Sequence, residues 1–219
     1  MAEVILLALG DIHGRIGWTP ALESAATAAA AIVITGDLTQ FGGPHDADRV
    51  LEELSGFPGP VYAIAGNCDS PGIEAHLQLL GVSLHGQGRM VGDRIGLCGV
   101  SGSNTTSFGT PLEYSDAELE HALYCGWASI RTAPLRIVVH HAPPWDTTVD
   151  LTGGGRHVGV KGLRTFCEQE SPELVLCGHI HEARGIDRIG RTLVVNGGMA
   201  ARGHGVLVRV SHDLSAELI

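Results

Sequence analysis

Apolar runs along the chain end repeatedly in short polar clusters built from metal-binding residue types. GDIHG covers 10–14, GDLTQFGG 36–43, GNCD 66–69, VVHHAPP 138–144 and CGHIHEARG 177–185. They supply carboxylates (Asp11, Asp37, Asp69), imidazoles (His13, His140, His141, His179, His181), a carboxamide (Asn67) and a thiol (Cys68). Carboxylate, imidazole and amide oxygen form a borderline-hard donor set suited to Mn²⁺, Fe²⁺, Zn²⁺ and close relatives. Asp11 and His13 are two residues apart, as are His179 and His181, so in extended backbone each pair faces one way. Asp37 can supply a carboxylate to two ions ~3.5 to 4 Å apart, the spacing used in two-metal hydrolysis.

These clusters need a scaffold that gathers strand ends. Val4 to Leu9, Ala31 to Thr35 and Val61 to Ala65 are apolar runs that read as buried strands. Helices are expected between them, at roughly 20–30, 45–54 and from Pro71 to about Leu80. That alternation predicts parallel strands covered on both faces, with binding groups past their carboxyl ends. Beyond Gly81 the rhythm changes. Short strands are expected at 82–85, 88–91 and 94–100, and a helix over 115–125. A strand over Leu135 to Val139, a helix over 160–168 and a strand over Leu174 to Cys177 follow. The tail, with strands near 184–189, 191–195 and 205–210, reads antiparallel. Two sheets packed together with helices outside accommodate all of this, as one domain over 1–219.

Composition narrows the partners. The formal charge is −10, with 24 acidic and 14 basic side chains, and Lys161 is the lone lysine. That balance argues against a nonspecific nucleic-acid partner, yet permits a small phosphate ester held through metal ions. Cys68, Cys98, Cys125, Cys167 and Cys177 form no CxxC pair and read as free thiols in a reducing, cytoplasmic compartment. The N-terminal run is too short for a membrane span and lacks a basic leader. An antiparallel edge leaves room for a homo-oligomer.

The ordered set GDIHG, GD, GNCD, HH, GHIH resembles the calcineurin-like metallophosphoesterases over essentially the whole chain, and more closely the family's compact single-domain microbial phosphodiesterases. The resemblance implies an α/β fold, a four-layer αββα sandwich of two mixed sheets flanked by helices. It also implies two divalent ions, Mn²⁺ first, with Ni²⁺, Fe²⁺, Zn²⁺ or Mg²⁺ as alternatives. One ion would be held by Asp11, His13, Asp37 and His181. The other would be held by Asp37, Asn67, His140 and His179, leaving His141 as a neighbour that points away. The implied reaction is in-line attack on a phosphodiester by a hydroxide held between the ions, with Asp37, Asn67, Cys68 and His140 as catalytic residues.

Asn67, His140 and His157, the last in the loop TGGGRHVG (152–159), are the expected substrate contacts. Asp69 is expected either to orient a histidine or to cap the turn before Pro71. Asn104, in SGSNTTSFG (101–109), either lines the pocket or merely joins a strand to a helix. Arg15 and Arg184 are candidate phosphate clamps.

Cys68 departs from the commoner family pattern, which has a histidine after the asparagine. A thiol has a reference pKa of about 8.5 against ~6.5 for imidazole and cannot carry positive charge. The resulting expectation is a preference for diesters, or esters with good leaving groups, over alkyl monoesters. The competing readings are a monoester or dinucleotide-polyphosphate phosphatase, a nuclease, and a non-catalytic scaffold. A scaffold with a degenerate site would have lost ligands, and none is missing here.

Overall fold

A computed structural model describes residues 3–219. Three strand–helix units open the chain. β1 (Val4–Leu9), β2 (Ala31–Thr35) and β3 (Val61–Ile64) run parallel. They are followed in turn by α1 (Pro20–Ala28), α2 (Pro44–Leu54) and α3 (Pro71–Leu79). Each helix begins at a proline, where the missing N–H removes no helical hydrogen bond. Thr19 Oγ1 closes the start of α1 by accepting from Leu22 N at 3.2 Å.

The middle of the chain gives β4 (Gly88–Val91), β5 (Ile95–Val100) and a short parallel pair, β6 (Ser103–Asn104) with β7 (Glu113–Tyr114). Next come α4 (Asp116–Ser129), β8 (Leu135–His140), α5 (Lys161–Glu170) and β9 (Leu174–Cys177). The tail supplies β10 (Gly185–Ile189), β11 (Thr192–Asn196), β12 (Val206–Val210) and β13 (Leu214–Leu218).

The strands form two mixed sheets, ordered β13-β12-β1-β2-β3 and β10-β11-β9-β8-β5-β4. Alternation along the strands divides the core into layers. Leu6, Ala8, Val33, Leu97, Ile137, Val139 and Leu176 pack between the sheets. Leu7, Leu9, Ile32 and Ile34 face Leu22, Val50 and Ile73 of the first three helices. Val138, Val175 and Val194 face Leu119, Leu123 and Phe166 of α4 and α5. The expected αββα sandwich is therefore present. Each fully buried Leu, Ile or Phe contributes roughly 1.5–3 kcal/mol relative to exposure.

Three local expectations differ from the structure. Residues 82–85 form no hairpin strand; they make isolated parallel bridges, Ala63 to Ser83 and His85 to Gly99. β13 lies outside the expected strands, because its exposed side chains alternate with half-buried ones on an edge strand and leave little apolar signal. The tail differs in part: β10 pairs antiparallel with β11, and β12 with β1 and β13, as expected, but the two pairs join different sheets and β11 also runs parallel to β9.

Candidate metal centre

The loops leaving β1, β2, β3, β8 and β9 meet at one end of the two sheets. Asp11, His13, Asp37 and His181 each bring a ligand atom into a group spanning no more than 4.8 Å. His13 Nε2 lies 3.3 Å from His181 Nε2 and 3.8 Å from Asp37 Oδ2, and His181 Nε2 lies 3.2 Å from Asp11 Oδ1. The backbone N–H of His179 donates to both oxygens of Asp11, at 3.2 and 3.1 Å.

The local backbone is not the extended one that the two-residue spacing suggests. Asp11, His13, Asp37 and His179 have φ of 50°, 48°, 50° and 69°. They are four of the seven non-glycine residues with positive φ among the described residues. Such conformations cost about 1–3 kcal/mol each and persist where surrounding contacts enforce them. Their concentration in this cluster marks it as the functional end of the molecule.

A second group of donors adjoins the first. Asn67 Oδ1 lies 2.7 Å from His179 Nδ1 and 2.9 Å from His141 Nε2. Asp37 joins the groups, with Oδ1 3.5 Å from His141 Nε2 and Oδ2 turned toward His13. The other nitrogen of His141, Nδ1, lies 2.9 Å from the Thr35 carbonyl oxygen. A carbonyl only accepts, so Nδ1 carries the proton and a neutral imidazole leaves Nε2 as a bare lone pair. That lone pair converges with two oxygen acceptors, and a cation among them satisfies all three.

The paired histidines are exchanged relative to expectation. Val138 and Ala142 face the helix layer beside β8, whereas Ile137 and Val139 face the opposite sheet. His141 follows the odd-numbered set and crosses toward β2. His140 follows the even set: it is buried, its Nδ1 has no partner, and no hydrogen bond joins it to Asn67, Asp37 or His179 among the described residues. Burial lowers its pKa to about 3.

Two glycines make the close approach feasible. At Gly66 a Cβ would collide with the Asp37 carboxylate and backbone nitrogen. At Gly36, where φ is +105°, it would collide with the His141 ring. Asp69 braces the same region rather than orienting a histidine. Its carboxylate accepts from Leu38 N (3.0 Å), Thr39 N (2.8 Å), Thr39 Oγ1 (2.8 Å) and Gly66 N (2.9 Å). Burial and the neighbouring Asp37 raise its pKa to about 6.

The electrostatics suit cation binding. Burial alone would raise Asp11, but the hydrogen bond to His181 and nearby imidazoles hold it below the usual range. The same hydrogen bond raises His181. Burial, with His141 nearby, lowers His179 to about 3, so its ring stays neutral and its lone pair available.

Cys68 is half-buried; its N–H donates to Asp37 Oδ1 at 2.8 Å, and Asn67 Nδ2 lies 3.8 Å from its Sγ. Burial and Asp37 raise the thiol well above its ordinary pKa, so it is no thiolate nucleophile. His157 turns to Asp150, Nδ1 to Oδ1 2.7 Å, and is absent from the wall of the neighbouring cavity. Arg184 donates to the carbonyls of Gly197 and Ile219, at 3.1 and 2.9 Å, and so ties down the chain end. Asn104 does line that cavity, together with Phe108, which the sequence did not single out.

A two-sheet αββα sandwich with clustered carboxylate and imidazole donors at its strand ends defines a metal-dependent phosphoesterase. The chain belongs to the calcineurin-like phosphoesterase family, whose model matches residues 5–183. It is 33% identical over 195 residues to the uncharacterized protein MJ1162 of Methanocaldococcus jannaschii, covering 87% of this chain and 86% of that one. Its fold is similar to that of TT1561 of Thermus thermophilus, with TM-score 0.71, 19% identity and 99% of each chain covered. A dimetal phosphatase from Danio rerio is similar at TM-score 0.61 and 11% identity, with 98% of this chain and 95% of that one covered. Among the described residues, no helix is long and apolar enough to cross a membrane.

Proposed function

We propose that the chain is a phosphodiesterase that works with two divalent ions side by side. Asp11, His13, Asp37 and His181 would hold one ion, and Asp37, Asn67, His141 and His179 the other, with Asp37 shared. The observation that carries this reading is the Asp37 carboxylate, whose oxygens face His141 at 3.5 Å and His13 at 3.8 Å. The donors are nitrogen and oxygen only, a set that suits Mn²⁺, Fe²⁺, Zn²⁺ and Ni²⁺ alike, and the family resemblance puts Mn²⁺ first among them. When bound, the ions would polarise the phosphoryl oxygens and lower the pKa of a water.

The chain's own groups set the rest. His141 is locked by the Thr35 carbonyl so that Nε2 presents its lone pair. Asp69 fixes the β2 and β3 loops on which Asp37 and Asn67 sit. Cys68 keeps its proton and offers only a weak S–H donor to a departing oxygen, which favours good leaving groups and diesters over alkyl monoesters. The GNCD sequence at 66–69 accordingly supports a place beside the compact microbial phosphodiesterases. We read residues 1–219 as one domain acting in the cytoplasm.

The test is Cys68→His, assayed on a phosphomonoester and a phosphodiester with the same aryl leaving group. The reading predicts that kcat/KM for the monoester rises relative to the diester. An unchanged or lower ratio overturns the acid-deficit account. A wild-type screen on both ester types with Mn²⁺, Ni²⁺, Zn²⁺ and Mg²⁺ tests the reaction class itself.

A further inference from the structure

A cavity of about 470 Å³ adjoins the metal centre, walled on one side by Asn67, His179 and His181 and on the other by the loop after β6. That volume is in the range of small-molecule sites. Cys68 is not on its wall. Phe108 stands at the cavity with 88% of its surface exposed, which leaves the ring open to contact from a ligand in the cavity. Asn104 Oδ1, on the same wall, is buried with no hydrogen-bond partner.

The loop carrying Phe108 is held in place. Glu113 on β7 accepts from Thr106 N (3.1 Å), Thr106 Oγ1 (2.6 Å), Thr110 N (2.9 Å) and Thr110 Oγ1 (2.7 Å). Phe108 N in turn donates to Thr106 Oγ1 at 3.2 Å. One carboxylate thereby fixes both ends of the turn that presents the ring. Across the cavity, Glu182 supplies a negative charge that disfavours a second phosphate.

We propose that this cavity is the subsite for the ester arm that stays on phosphorus, and that Phe108 selects an aromatic arm there, with Glu113 as its positioning residue. The inference rests on the phosphodiesterase reading, in which Cys68 faces the leaving oxygen. The cavity lies on the Asn67–His179–His181 side, which leaves it to the other arm. It gives diester preference a second cause, since a monoester has no arm to place against Phe108. An N–H or O–H donor on that arm would satisfy Asn104 Oδ1.

Bis(4-nitrophenyl) phosphate and methyl 4-nitrophenyl phosphate lose the same group. In both, water oxygen bonds to phosphorus, the bond to 4-nitrophenolate breaks and the displaced protons pass to solvent. They differ only in the retained arm. Phe108→Ala should lower the aryl-to-methyl ratio of kcat/KM on the order of tenfold. Glu113→Gln should raise KM for the aryl diester while leaving kcat and the methyl ester unchanged. Ratios unaltered in both variants overturn the subsite.

Calorimetric binding of diphenyl phosphate and dimethyl phosphate to the Mn²⁺-loaded protein gives a readout without turnover. The diphenyl ester should bind more tightly, with the margin lost in Phe108→Ala; equal binding overturns the inference. If wild type turns over neither nitrophenyl diester, the phosphodiesterase reading fails, and the binding comparison still decides the subsite.

Discussion

His141 Nε2 lies 2.9 Å from Asn67 Oδ1, across 74 residues of sequence, and the ring is fixed from behind by the Thr35 carbonyl. Two acceptors facing at that distance repel unless a proton or cation lies between them. With His179 Nδ1 at 2.7 Å from the same oxygen, the arrangement is that of a preformed ligand set. The histidine pair therefore separates by position, with His141 in the donor cluster and His140 in the packing beside it.

His141→Ala should remove the second ion and lower kcat/KM by at least on the order of 100-fold. His140→Ala should retain full metal content while lowering thermal stability, because its buried ring leaves a cavity. Elemental analysis of the two purified variants separates them. Equal metal content in both would return His140 to candidacy.

Gly66→Ala should destabilise by about 1–3 kcal/mol, since the new Cβ overlaps the Asp37 carboxylate and backbone. Denaturant unfolding reads the loss. A matched control, Gly56→Ala, meets nothing within 4 Å and should change stability little.

Cys68→Ser should keep diesterase activity within a few fold, because the raised thiol pKa leaves no thiolate to attack. A loss on the order of 1,000-fold, with metal content intact, would restore the nucleophile reading.

The loop around His157 should tighten in acid. Hydrogen bonding to Asp150 raises the His157 pKa, so the folded state binds its proton more strongly than the unfolded state. The added stability is fully present below the unfolded value of about 6.5 and is lost as pH rises through the raised folded value. Hydrogen exchange over residues 151–158 should show more protection at pH 5.5 than at pH 9, after correction for intrinsic rates. His157→Gln should abolish the difference.

The polar clusters after the apolar runs carried most of the fold and of the centre, because parallel strands buried on both faces direct their C-terminal loops to one place. Asp11, His13, Asp37, Asn67, His179 and His181 were legible for that reason. The phase of VVHH was not. β8 is buried on both faces, so its sequence lacks the polar alternation that would show which histidine points at the other sheet. The left-handed turns at Asp11, His13 and Asp37 were equally hidden, since no glycine occupies those positions. Phe108 left no signal because the place of its ring at the cavity depends on where Glu113 holds the loop.

Metal stoichiometry of the purified chain tests the shared centre most directly. Calorimetric titration with Mn²⁺ should saturate at two ions per chain in wild type, and Asp37→Asn should weaken both sites and abolish diester hydrolysis. Saturation at one ion, or full activity of Asp37→Asn with saturating metal, would contradict a centre bridged by Asp37.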